Sequence, residues 1–165
     1  GKLLLLDLGA RGEGYCADIT RTYPISGKYS PRQKEIYDIV LRANRAVAEA
    51  ARPGVTLREL NDLCKKVLAE GMMAIGKIQS AEEIGKYYMH GVSHHLGLDT
   101  HDCAVREDLG LRAGMVISDE PGLYIDEEEI GIRIEDDLLI TETGCRVLSE
   151  AIPRTTEEIE ALMVR

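Results

Sequence analysis

The segment IGIRIEDD, residues 130 to 137, constrains the fold of this chain more than any other. Its alternation puts Ile130, Ile132 and Ile134 on one face of a strand and Gly131, Arg133 and Glu135 on the other. A carboxylate in the middle of a strand this apolar is costly to bury unless a partner charge or a metal neutralises it. The same anomaly recurs: Asp7 ends the run LLLLD, Asp18 sits inside YCADITRT, and Glu120 sits inside VISDEPGLYI. Acids set in four strand-like segments call for a common cation.

At 165 residues the chain suits one domain with one core. Phe and Trp are both absent, so Leu, Ile, Val and Tyr must build that core. A formal charge of −9 argues against a nucleic-acid backbone or an anionic membrane as the main partner, because both select for basic patches. Cys16, Cys64, Cys103 and Cys145 are scattered, with no CxxC pair, and read as reduced thiols. No apolar run approaches the roughly 18 residues needed to cross a bilayer. The opening LLLL also lacks a basic flank and a cleavage site, so a cytoplasmic location is expected. The chain opens already inside a hydrophobic strand, which leads us to expect upstream sequence, whereas its last residues read as a native C-terminus.

Residues 3–8 and 15–23 read as strands joined by GARGEG, a glycine-rich hairpin loop. Such a hairpin can aim Asp7 and Asp18 at one point, as a bridged metal pair requires. Taken alone, the two acids have a plainer reading, in which Asp7 opens the turn and Asp18 pairs with Arg21 or Arg11. Ser30, Pro31 and Gln33 start a helix that runs to about Arg52, where Pro53 and Gly54 stop it. Ile36, Ile39, Val40, Ala43, Val47 and Ala50 form its apolar stripe. Thr56 with Glu59 starts a second helix through about Met73, with Leu60, Leu63, Val67 and Leu68 as its buried side and Met72 and Met73 as core filler. Ser80 with Glu83 marks a short third helix before Tyr87.

The run HGVSHHLGLDTHD, residues 90–102, holds all four histidines. His90 and His94 have the spacing of two ligands on one helix face, but Gly91, Ser93 and Gly97 are poor helix residues. A loop or irregular strand is therefore predicted, with glycines that allow close approach to a ligand. Any single histidine here also reads as a surface residue; the cluster, centred on His94, reads as a site. Residues 115–125 and 130–140 read as a hairpin around the acidic turn DEEE, and Pro121 with Gly122 places Glu120 at a bulge or kink. A short strand over 145–148 follows. Thr155 with Glu158 then begins a final helix that buries Ile159, Leu162 and Met163.

Five blocks, LLLLDLGA, GYCADITRTYPISGKYS, MHGVSHHLGLDTHD, MVISDEPGLYI and EIGIRIEDDLLIT, stand in the order found in the pita-bread metallopeptidases. Over essentially its whole length the chain resembles the Xaa-Pro aminopeptidase (aminopeptidase P) and prolidase members of that family. The resemblance implies an α+β pita-bread (creatinase/aminopeptidase) fold, a curved, mostly antiparallel sheet covered by helices. Residues 1–165 would be a fragment of a metallopeptidase catalytic domain, with the family's separate N-terminal domain and the first part of the catalytic domain absent. The resemblance further implies two divalent metal ions, Mn first with Co or Zn as alternatives, held by Asp7, Asp18, His94, Glu120 and Glu135. Asp18 and Glu135 would bridge the metals, Asp7 would chelate one, and His94 with Glu120 would complete the other.

His90 and His101 match accessory histidines that contact substrate in the family, and Arg133 matches an arginine beside the site. Glu120 is the candidate proton shuttle. The implied activity is that of a dinuclear metallo-aminopeptidase, which removes the N-terminal residue from peptides with proline in the second position. The attacking group would be a hydroxide bridging the two metals. The implied partner is such a peptide, with no nucleic acid and no membrane, and the full-length protein is expected to be a homo-oligomer. Two alternatives stand beside this: a prolidase acting on Xaa-Pro dipeptides, and a catalytically inactive pita-bread module that binds peptides. The chain departs from the family pattern at Thr100, where Val or Ile is usual, and at Ser118 and Asp119, where Thr and an apolar residue are common. It also lacks a match to a histidine-bearing segment that precedes the LLLLD strand in the family.

Overall fold

Two long antiparallel hairpins carry most of the strands, and each is interrupted once. The structure, a computed structural model, describes residues 1–104 and 109–164. In the first hairpin β1 (Leu3–Leu8) pairs with β4 (Ile19–Pro24), placing Asp7 opposite Thr20. Beyond a gap, β2 (Arg11–Gly12) pairs with β3 (Tyr15–Cys16) in the same register. Glu13 and Gly14 close the tip with φ of 51° and 96°, a left-handed turn that matches the twist of paired strands. Asp18 lies in the gap. Gly9 stands across from it, and a Cβ there would sit 1.9 Å from the Ala17 carbonyl oxygen.

In the second hairpin β5 (Val116–Asp119) pairs with β8 (Asp136–Ile140), and β6 (Gly122–Ile125) pairs with β7 (Ile130–Arg133). The register is unbroken across the interruption, so Glu120 faces Glu135 and Pro121 faces Ile134. Equal numbers of residues fill the gap on both strands. A bulge, which needs an inserted residue, is therefore absent at Glu120, and the ladder is interrupted there instead. Pro121 has no N–H to offer the ladder, while its carbonyl accepts from Ile134 N at 3.2 Å. A 3₁₀ turn over Asp126–Glu128 closes this hairpin, and β9 (Cys145–Val147) continues the sheet beside β8.

The hairpins are stitched together along β4. Glu135 N donates to Thr20 O at 3.0 Å, and the Thr22 hydroxyl both accepts from Arg133 N and donates to Arg133 O. The histidine run is the predicted irregular strand. It follows the other edge of β5, with Leu96 N donating to Val116 O, Ser118 N to His94 O and Glu120 N to Val92 O.

Helices α1 (Pro31–Ala50) and α2 (Leu57–Ala74) both open on a complete capping box, and α1 contacts β5, β6, β7 and β9. The predicted α1 stripe is buried from Ile36 to Val47, and the helix ends at Ala50, two residues earlier than Pro53 and Gly54 suggested. On α2 the stripe is rotated: Leu60, Cys64, Leu68 and Met72 are buried, Leu63 and Val67 only half so, and Met73 is exposed. The reason is close helix contact at Gly71, where a Cβ would meet Ile39 Cγ2 at 2.6 Å, so the glycine edge of α2 turns inward. A 3₁₀ helix spans Ala81–Lys86, and α3 (Thr156–Met163) buries Ile159 but leaves Leu162 exposed.

Without Phe or Trp, tyrosines fill the large core positions, and each buried hydroxyl needs a partner. Tyr29 donates to Thr22 O at 2.6 Å, Tyr37 to Arg154 O at 2.9 Å, and Tyr88 to Asn61 Oδ1 at 3.4 Å. Among the described residues no helix is long and apolar enough to cross a membrane.

Candidate metal centre

The two hairpin gaps open onto one point. Asp7, Asp18 and Glu135 each offer a carboxylate oxygen, and these atoms lie within 4.8 Å of one another. So do donor atoms of His94, Glu120 and Glu135, and of Asp18, His94 and His101. All five residues named as ligands by resemblance therefore converge, with Glu135 common to two of the groups and Asp18 to two. The plainer reading of the first hairpin fails. Arg21 pairs with Asp136 at 2.7 Å and Arg11 approaches Asp99 at 3.7 Å, so neither arginine is spent on Asp18.

His94 is set up as a nitrogen donor. Its Nδ1 lies 3.0 Å from the His95 carbonyl, which can only accept, so Nδ1 carries the proton. Nε2 is left with its lone pair 3.5 Å from Asp18 Oδ2 and 3.4 Å from Glu120 Oε1. Ser118 holds this arrangement by accepting from His94 N at 3.0 Å and donating to Glu120 Oε1 at 3.2 Å.

The electrostatics match a site built around positive charge. Burial pushes Glu135 up to about 8, and the neighbouring charges of Glu120, Asp18 and Asp7 push the same way against the bond from Thr20. Asp18 is raised by burial and then by Asp7. Asp137, which accepts from Asp18 N at 3.3 Å, is raised to about 6, again mainly by burial. Carboxylates crowded in this way hold protons that a cation would displace. Four carboxylates and one neutral imidazole form a hard, oxygen-rich donor set suited to Mn, with Co and Zn also compatible.

Around this cluster runs a chain of polar contacts. Arg133 donates to Asp7 Oδ2 at 2.5 Å, to Thr20 Oγ1 at 3.1 Å and to the Tyr124 hydroxyl at 3.2 Å. His90 Nδ1 lies 2.8 Å from the Gly91 carbonyl, which assigns its proton there and leaves Nε2 to accept from the Tyr124 hydroxyl at 2.8 Å. His90 Nδ1 is also 3.9 Å from Glu120 Oε2. His101 lies at the exposed rim with its ring edge-on to His94, centroids 4.4 Å apart.

Sequence reasoning missed Thr20, whose hydroxyl donates to Glu135 Oε2 at 2.6 Å, and Tyr124. Thr20 was within reach, since it follows Asp18 by two residues on the same strand face. Tyr124 was not: no spacing in the chain links it to His90, and the two meet only through packing of β6 beside the histidine run.

The metallopeptidase family M24 matches residues 1–142. An Xaa-Pro aminopeptidase of Escherichia coli is 41% identical over 182 residues, covering 99% of this chain and 41% of that protein. Intermediate cleaving peptidase 55, mitochondrial, of Arabidopsis thaliana is 41% identical over 172 residues, covering 99% of this chain and 35% of its own. Among solved structures, a Bacillus anthracis protein provisionally described as an aminopeptidase P superposes with a TM-score of 0.95 at 56% identity, over 98% of this chain and 38% of that one. The chain thus spans about two fifths of the length of these relatives. The curved sheet with its covering helices is the pita-bread fold. With that fold, the motif blocks and the match over residues 1–142 in agreement, the chain belongs to the metallopeptidase family M24.

Proposed function

We propose that this chain carries the dinuclear metal centre of an aminopeptidase that removes the residue ahead of proline at a peptide N-terminus. The observation that supports it most is the pair of ligand groups sharing Glu135, namely Asp7–Asp18–Glu135 and His94–Glu120–Glu135. Asp7, Asp18, His94, Glu120 and Glu135 would hold two divalent ions, Mn first. Such ions lower the pKa of a water to near neutrality and polarise the scissile carbonyl.

The chain's own residues supply the rest. Glu120, whose Oε2 lies beside His90, would take the proton given up by the attacking water and pass it to the leaving nitrogen, which as a prolyl amide nitrogen has no hydrogen of its own. His101, at the exposed rim against His94, is placed to donate to the bound peptide, while His90, engaged by the Gly91 carbonyl and the Tyr124 hydroxyl, is fixed beside Glu120 where its ring can contact the peptide. Arg133 keeps Asp7 turned inward and fixes the Tyr124 hydroxyl against His90. The relatives named Xaa-Pro aminopeptidase support proline as the second residue of the substrate.

The test is melting of the metal-stripped protein titrated with Mn, Co and Zn, followed by hydrolysis of Xaa-Pro-Xaa peptides and Xaa-Pro dipeptides. A metal-dependent rise in melting temperature with turnover of the longer peptides supports the reading. Turnover of dipeptides alone makes the protein a prolidase, and metal binding without turnover of either makes it a binding module. A second reading, in which the same centre accepts residues other than proline, is left open by the Arabidopsis relative, whose name as an intermediate cleaving peptidase specifies no proline. Matched peptides with alanine in the second position separate the two.

A further inference from the structure

Glu120 and Glu135 face each other where the β5–β8 ladder stops, so the last pair of that ladder, Asp119 opposite Asp136, governs their spacing. Strand alternation turns these two acids away from the metal centre and toward α1. Both are fully buried. Two acids directly opposed across an antiparallel pair each need a polar partner in a buried setting, and here they sit on the strands that present Glu120 and Glu135.

Asp136 has its own compensation. It accepts from Arg21 at 2.7 Å, from Arg154 at 2.9 Å and from the Ser149 hydroxyl at 2.6 Å. Among the described residues no cation stands within ion-pair distance of Asp119. What reaches it is Asn44 of α1, itself fully buried. Asn44 Nδ2 lies 3.1 Å from Asp119 Oδ2, 3.4 Å from the Asp119 carbonyl and 3.2 Å from Asp136 Oδ2. One amide from the helix thus spans both acids.

We propose that Asn44 is a positioning residue for the metal centre: by joining Asp119 to Asp136 it holds β5 and β8 at the separation that sets Glu120 against Glu135. The proposal rests on the reading of Glu120 and Glu135 as metal ligands. The test is calorimetric titration of Mn²⁺ alone into the metal-stripped full chain, with the visible spectrum of the Co²⁺ form as a second readout. Wild type is compared with Asn44→Leu, with the milder Asn44→Ser, whose hydroxyl cannot span both acids, and with the double variant Asn44→Leu/Asp119→Val.

Both single variants are expected to weaken Mn²⁺ binding by about 10- to 100-fold, the range for losing a residue that orients metal ligands. They should also shift the Co²⁺ spectrum. The double variant is expected to recover most of the affinity, because an apolar pair leaves no buried acid without its amide partner. Affinity and spectrum unchanged in a folded single variant, with only the melting temperature lowered, would assign Asn44 a merely structural role and overturn the proposal. Asn44→Ser provides that result should Asn44→Leu not fold. A wild-type chain that binds no Mn²⁺ would overturn the ligand reading and this proposal together, which distinguishes the two failures.

Discussion

Replacing Glu135 by Gln should stabilise the metal-free protein and abolish its stabilisation by metal, an inversion that follows from the crowding of carboxylates. Glu135 is raised from 4.5 to about 8 by burial and by three neighbouring acids. Between those pH values the folded state binds a proton that the unfolded chain has released. Stability from this group is therefore complete below about pH 4.5, falls as pH rises, and levels off above pH 8. At pH 7 the cost of keeping Glu135 in the fold is on the order of 3 kcal/mol. Gln removes the charge yet keeps an oxygen for the Thr20 hydroxyl. A change of that size corresponds to roughly 6–12 °C in melting temperature for a chain of this length. The assay is thermal melting of chelator-treated wild type and Glu135→Gln at pH 5 and pH 8, each repeated with Mn. The variant should melt higher than wild type at pH 8 without metal, nearly level with it at pH 5, and below it once metal is added. A Glu135→Gln protein that melts lower than wild type at pH 8 without metal, or a difference independent of pH, would refute the reasoning.

Three further outcomes are expected. Arg21→Met should destabilise by about 3–5 kcal/mol, because it strips a buried partner from Asp136 and frees the carbonyls of Glu135 and Pro153. Urea unfolding measures this, and Arg21→Lys should recover only part of the loss, since an ammonium lacks the guanidinium fork. Gly9→Ala should cost about 1–3 kcal/mol, because its Cβ would clash with the Ala17 carbonyl across the first hairpin; an unchanged melting temperature would show that the gap relaxes freely. Tyr124→Phe leaves the proposed ligands untouched but cuts the links to His90 and Arg133. It should lower turnover by about 10²-fold with Mn affinity unchanged, and loss of metal instead would show that the hydroxyl supports the ligands themselves.

The helix boundaries were legible because their signals are local. Ser30 with Gln33, Thr56 with Glu59 and Thr155 with Glu158 each form the capping box that the spacing predicts. The α2 stripe was read less well, because periodicity gives a helix a face but not the angle at which a neighbour meets it. That angle depends on Gly71 lying against Ile39, a contact between residues of different helices.

The sequence by itself determined which acids and which histidine stand out, because a charged group inside an apolar strand is costly wherever the strand goes. It also determined the family, through motif blocks kept in order. Only the tertiary structure decided that both hairpins break at the same place and that their gaps face each other. It alone brought Tyr124 to His90 and Arg133, and Asn44 to Asp119 and Asp136. The physical reason is that strand alternation and capping describe a residue's relation to its own element. What lies opposite Glu120, or reaches Asp119 from behind, is set by how separate elements pack, and that information is spread over the whole chain.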